Sequence, residues 1–260
     1  MQLHRSDSNE RTLPLISSPP HYTPETFRPG YASAHSRARI VTVLLTASAV
    51  LSLGSILLSA LQFVFPKLAF AEEEINEPEL LVFGLLLLGV GLIQIAVYIA
   101  TIVVFLMWLY RSYENLPSFG VHRNSIQYSS GWAVGSFFIP FVNLIIPYRA
   151  VKELWSKSVP NRLEMFSEPE PPGFFPLWWA AWLLSNFANN VYMRLAWNEQ
   201  LNPEVDATLG MLTGMLDIVS AVLAIMVVRA IDKQQEVSAS LVTRGSMSPS
   251  IPPPPNFGPA

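Results

Sequence analysis

Asp217 is the residue in this sequence best placed to do chemistry, because it is an acid inside an otherwise apolar run, 207–231. An ionisable group in such a run is costly and marks either an ion or proton path or a hydrogen-bonded helix contact. Gly210 and Gly214 precede it with the small-x-x-x-small spacing that lets helices approach closely, and all three residues fall on one helical face. In the preceding apolar block Asn186, Asn190 and Arg194 recur every four residues, with Asn189 beside them. A short link joins the two blocks, so they should pack as antiparallel neighbours. Counting inward from that link, Asn186 and Asn190 reach the depth of Asp217, while Arg194 lies nearer the end. The expected arrangement is an Asn pair facing an intramembrane carboxyl. It fits a proton or cation site, and it fits an acid that glues two helices; the residues alone favour the second.

Other chemistry is sparse. His4, His21, His35 and His122 all lie outside the apolar blocks, none with a second ligand at a spacing such as H-E-x-x-H, and no glycine-rich phosphate loop follows a strand. The absence of cysteine excludes disulfides, thiolate metal sites and a cysteine nucleophile. No nucleophile, base and oxyanion set stands out. The expectation is a protein with no catalytic residues, no metal and no cofactor, and therefore not an enzyme. A net charge of -3 without a basic stripe sets nucleic-acid binding aside.

The elements that would position the Asn and Asp residues follow from composition. With 51% hydrophobic and only 13% charged residues, the chain is built for a solvent other than water. Four apolar blocks, 40–65, 80–109, 174–197 and 207–231, each approach or exceed the roughly 20 residues needed to span hydrocarbon. The first is too long and too far from the N-terminus for a secretory signal peptide, although Ala69-Phe70-Ala71 has the spacing of a cleavage site. Trp178, Trp179 and Trp182 read as anchors at the membrane interface. Residues 1–39 and 234–260 are polar and proline-bearing, and read as disordered cytoplasmic tails around a transmembrane domain, 40–233.

The remaining apolar stretch, 131–147, is at the short limit for spanning and carries Pro140, Asn143 and Pro147. If it crossed, Arg149, Lys152, Lys157 and Arg162 would lie outside, and basic residues near the membrane would divide five inside to seven outside. If it enters and returns, eleven lie inside and Lys67 alone outside, the partition that the positive-inside rule prefers. The expectation is a re-entrant hairpin whose turn Asn143 satisfies, followed by an amphipathic interfacial helix, 148–158. The fold class is then all-α, a polytopic bundle of four spanning helices plus a proline-broken hairpin, with both termini cytoplasmic.

Several spaced signatures coincide along this part of the chain: Trp108-x-x-Arg111-x-x-x-Asn115-Leu116, Gly131-Trp132-Ala133-Val134-Gly135, Ile139-Pro140-x-x-Asn143-Leu144-x-x-Pro147-Tyr148, Glu153-Leu154-Trp155, Trp178-Trp179-x-x-Trp182, and Arg229 followed by Gln234. Together they resemble the bacterial membrane family catalogued as domain of unknown function 4328, over roughly 80–235. The sequence departs from the pattern at Ile146, where a basic residue is expected, and at Arg149, where Gln is expected. The resemblance implies a multi-pass protein of the bacterial inner membrane and supplies no catalytic residue. The function read at this level is a non-enzymatic scaffold or regulatory partner in the lipid bilayer, working with a membrane or cytoplasmic protein. The alternative is a small transporter or channel built on the hairpin and the Asn/Asp cluster.

Overall fold

The computed structural model describes residues 30–64, 77–159, 170–198 and 201–246. Among them the chain is all-helical, with no strand. Helix α1 runs His35–Val64 and α2 Glu77–Glu114. Short helices α3, Ser130–Gly135, and α4, Ile146–Lys157, flank a broken segment, and α5, Phe174–Trp197, and α6, Pro203–Ser246, complete the bundle. Three stretches are long and apolar enough to cross a membrane: His35–Ala60, Leu88–Phe119 and Glu204–Thr243. Helix α5 has 24 residues, but Asn186, Asn189, Asn190 and Arg194 make its second half less apolar.

Contact pairs fix the topology. Ser55 meets Gln94 and Ala32 meets Asn115, so α1 and α2 are antiparallel. Ser59 lies beside Gly210 and His35 beside Asp232, so α1 and α6 are antiparallel as well. Ser185 meets Asp217 and Tyr192 lies beside Gly210, which makes α5 antiparallel to α6. Helix α6 therefore lies between α1 and α5.

Polar residues inside these apolar helices are accommodated locally. The hydroxyls of Thr42, Thr46, Ser48, Ser55 and Thr101 each donate to the carbonyl four residues back. Large apolar side chains such as Val43, Leu57, Leu92, Ile99, Phe187 and Val219 face outward along the bundle. The closely packed core instead gathers at one end, around Val41, Trp108, Leu109, Leu116, Leu154, Phe175, Val228 and Ile231.

Several boundaries differ from the sequence reading. The fold begins before residue 40: residues 31–34 bond to or pack on the bundle and α1 starts at His35. It also continues past 233, since α6 runs to Ser246 and Gln235 is only 1% exposed. Composition misleads here because polar side chains that bond to one another inside the fold look like those of a solvated tail. Residues 1–29, the acidic link 65–76 and the proline run within 247–260 lie outside the described residues.

The segment 131–147 is broken. After α3 come two 3-10 turns, Ser136–Phe138 and Val142–Leu144, with Pro140 between them. Phe141 holds φ 64°, a conformation that L-residues rarely adopt, and is 84% exposed. Asn143 does not close the turn with its side chain, whose Oδ1 is buried without a hydrogen-bond partner. The turn closes through backbone bonds, Asn143 N to Ile139 O at 2.9 Å and Val142 N to Pro140 O at 2.8 Å. Trp179 Nε1 donates to Leu144 O at 3.0 Å. Pro147 sits in the first turn of α4, where a missing N–H costs nothing. Helix α4 is amphipathic as expected, but Ala150, Val151 and Leu154 are buried in the bundle's own core. Trp178 and Trp179 are likewise buried, with Trp179 and Trp182 stacked at 4.8 Å and Phe137 edge-on to both.

Candidate functional site

Asp217 faces α5 from about a third of the way along α6, near the middle of the apolar run. Its partners differ from those read in the sequence. Ser185 Oγ and Asn189 Nδ2 donate to the same oxygen, Oδ1, the latter at 2.9 Å. Ser185 and Asn189 share the four-residue spacing of Asn186 and Asn190 but sit one position earlier, a turn of about 100° on the helix. The expected pair points elsewhere. Asn186 Nδ2 donates to Trp182 O at 2.7 Å, and Asn190 Oδ1 accepts from Arg194 Nε at 3.0 Å. Asn186, Asn190 and Arg194 line an open depression with Asn189, Met193, Trp197 and Asn198, toward the linked ends of α5 and α6.

The glycine spacing would bring the last two helices together if the stripe faced α5, but the close approach is to another helix. A Cβ on Gly214 would lie 2.8 Å from Ile56 Cγ1, and one on Gly210 would lie 3.5 Å from Ser59 Oγ. Their close approach is to α1, while Gly210 also touches Tyr192 of α5. The helical period explains this: Gly214 and Asp217 lie about 60° apart around α6, so on one broad face the glycine stripe meets α1 and the acid meets α5.

At the packed end of the bundle lies a polar layer that sequence reasoning missed. Gln235 Nε2 donates to Ser112 O at 3.0 Å and to Ser158 Oγ at 3.1 Å, and Asn115 Nδ2 reaches Gln235 Oε1 at 3.5 Å. Asn115 Oδ1 accepts from Ala32 N, and Arg111 Nε donates to Ala32 O. Glu153 of α4 closes the layer on the other side: its carboxylate accepts from the backbone N–H groups of Gln127 and Tyr128 and from Tyr113 OH. Tyr113 OH also donates to Ala150 O at 2.6 Å. The chain thus leaves this layer at Tyr128, passes through the broken segment and returns to it in α4.

Beside the layer, Tyr31 OH donates to Glu236 Oε1 at 2.8 Å, Ser33 Oγ donates to the same oxygen at 2.5 Å, and His35 Nδ1 lies 2.6 Å from Asp232 Oδ2. Burial, reinforced by the Glu236 hydrogen bond, pushes the Tyr31 phenol well above its ordinary value, so it remains a donor. The only signal of this layer in the sequence was the set of spaced signatures, since Arg111, Asn115, Glu153 and Gln234 all fall in or beside it.

These features define a helical protein with membrane-length apolar helices, a self-satisfied acid between two of them and a polar layer tying five chain segments at one end. The family described as a domain of unknown function (DUF4328) matches residues 73–233, and the chain belongs to that family. Helix α1 lies outside the matched residues although it packs on α2 and α6. No curated protein and no solved structure matches.

Proposed function

We propose that the chain is a four-span integral protein of a bacterial inner membrane, with both termini cytoplasmic, that acts as a non-enzymatic scaffold or regulatory partner. In this reading α5 is the fourth span and 131–147 enters from the cytoplasmic side and returns to it. The observation that carries it is the grip of Glu153 on Gln127 and Tyr128. A crossing of that length would carry the two ends of the segment about 25 Å apart, and here they are hydrogen-bonded. Asp217, the acid within the apolar run, is also engaged within the fold, by Ser185 and Asn189. The same end carries exposed Arg123, Arg149 and Lys152, the last part of α6 and the N-terminal segment, which together offer a cytoplasmic surface to a partner.

Topology is tested by cysteine labelling, for which the cysteine-free chain has no background. An impermeant maleimide on intact cells should miss Asn124→Cys and Lys152→Cys and react with Asn76→Cys. Labelling of Lys152→Cys alongside protection of Asn124→Cys would show that the segment crosses. The role is tested by purifying the native protein in mild detergent, where a stoichiometric protein partner is expected. Isolation without one, combined with solute flux in proteoliposomes that Asp217→Asn abolishes, would favour the transporter reading.

A further inference from the structure

We propose that His35, Asp232 and Glu236 form a binding site for a divalent transition-metal ion of the zinc type. The site joins the first residue of α1 to two carboxylates one turn apart on α6, and a ligand atom from each of the three lies within 4.8 Å of the others. Nearly two hundred residues separate the imidazole from the acids, which is why no motif announced the site.

Charge indicates what the site takes. Among the described residues the ion pairs are His35 with Asp232 and Arg123 with Glu114, so neither Asp232 nor Glu236 has a lysine or arginine partner. The Asp232 side chain is only 11% exposed and Glu236 is half-buried, so two carboxylates stand beside the single imidazole of His35. A divalent cation neutralises that excess. One imidazole and two carboxylates suit a borderline ion, and three protein ligands leave a coordination position for water.

The surroundings fit a metal as well. Tyr31 and Ser33 donate to Glu236 Oε1 and fix the orientation of that carboxylate, the part that hydrogen-bonding neighbours play for metal ligands. The His35 side chain is 52% exposed and gives an ion access from solvent. Ligands about 2.0–2.2 Å from a metal sit roughly 3.3 Å apart in tetrahedral geometry. The His35–Asp232 contact at 2.6 Å must therefore open slightly and the rest close by about 1.5 Å or less, which side-chain rotation supplies. Bound metal would staple the N-terminal segment to the far part of α6.

The test is calorimetric titration of the full chain, purified in detergent and stripped with chelator, with zinc. One saturable site is expected, unaffected by an equal concentration of magnesium and retained in His122→Ala and in His4→Gln/His21→Gln. His35→Ala and Glu236→Gln should each weaken it more than tenfold, and Tyr31→Phe by about tenfold. If either ligand variant fails to fold, cobalt on the unaltered chain supplies the second measurement, as a visible ligand-field band that zinc displaces. Absence of saturable binding, or an unchanged affinity in folded His35→Ala, overturns the site.

Discussion

Glu153→Ala should destabilise the protein by about 3 kcal/mol, because hydrogen bonds to a charged group contribute about 1.5–3 kcal/mol each and this carboxylate accepts from two backbone amides. Its other donor, Tyr113 OH, keeps a partner in Ala150 O at 2.6 Å. The loss therefore falls on the amides of Gln127 and Tyr128. Gln127 is exposed and its amide can find water, whereas Tyr128 is buried and its amide finds water less readily. Glu153→Gln retains one acceptor oxygen and should lose less than half as much. Thermal unfolding in detergent measures the difference, and amide exchange at Tyr128 localises it. Equal and small losses in the two variants would mean that the carboxylate does not hold the ends of the broken segment together.

Gly214→Leu should be comparably severe, through overpacking. Even a Cβ meets Ile56 Cγ1 at 2.8 Å and Cδ1 at 3.1 Å, with Ser52 O at 3.6 Å behind them. Three further carbons would force α1 away from α6, at a cost of about 1–3 kcal/mol or more. Gly214→Ala should cost less than Gly214→Leu, since it adds one carbon and alanine favours the helix by about 1 kcal/mol, set against the contact with Ile56 Cγ1, whose β-branched side chain is stiff in a helix. The partner is identified by rescue: Ile56→Ala should restore much of the stability of Gly214→Leu. Failure of that rescue, with recovery from a substitution in α5 instead, would return the glycine stripe to the last two helices.

How far the sequence could be read depends on the range of each interaction. Apolar blocks are local, and 174–197 coincides with the bounds of α5. The turning of Asp217 inward was also legible, because the face it shares with Gly210 and Gly214 is a matter of helical period. Its partners were not, because Ser185/Asn189 and Asn186/Asn190 have identical spacing and only the rotation of α5 about its axis separates them. The polar layer was harder still. Asn115 and Gln235 lie 120 positions apart, and each looks solvated in its own neighbourhood. The signatures around Arg111, Asn115 and Glu153 marked the right residues without revealing that they meet.

Phe141 carries a consequence for the broken segment. An L-residue at φ 64° costs on the order of 1–3 kcal/mol, and glycine would make the same turn without that cost. The strained residue nevertheless bears a large aromatic ring, and the ring has almost no contact with the rest of the chain. The fold therefore gains nothing from that side chain, and its interactions lie with whatever surrounds the bundle. In the four-span arrangement proposed above that surrounding would be hydrocarbon, and the tip would be a wedge that sets how deep the segment sits, with the Glu153 grip as its hinge and the ring as its float.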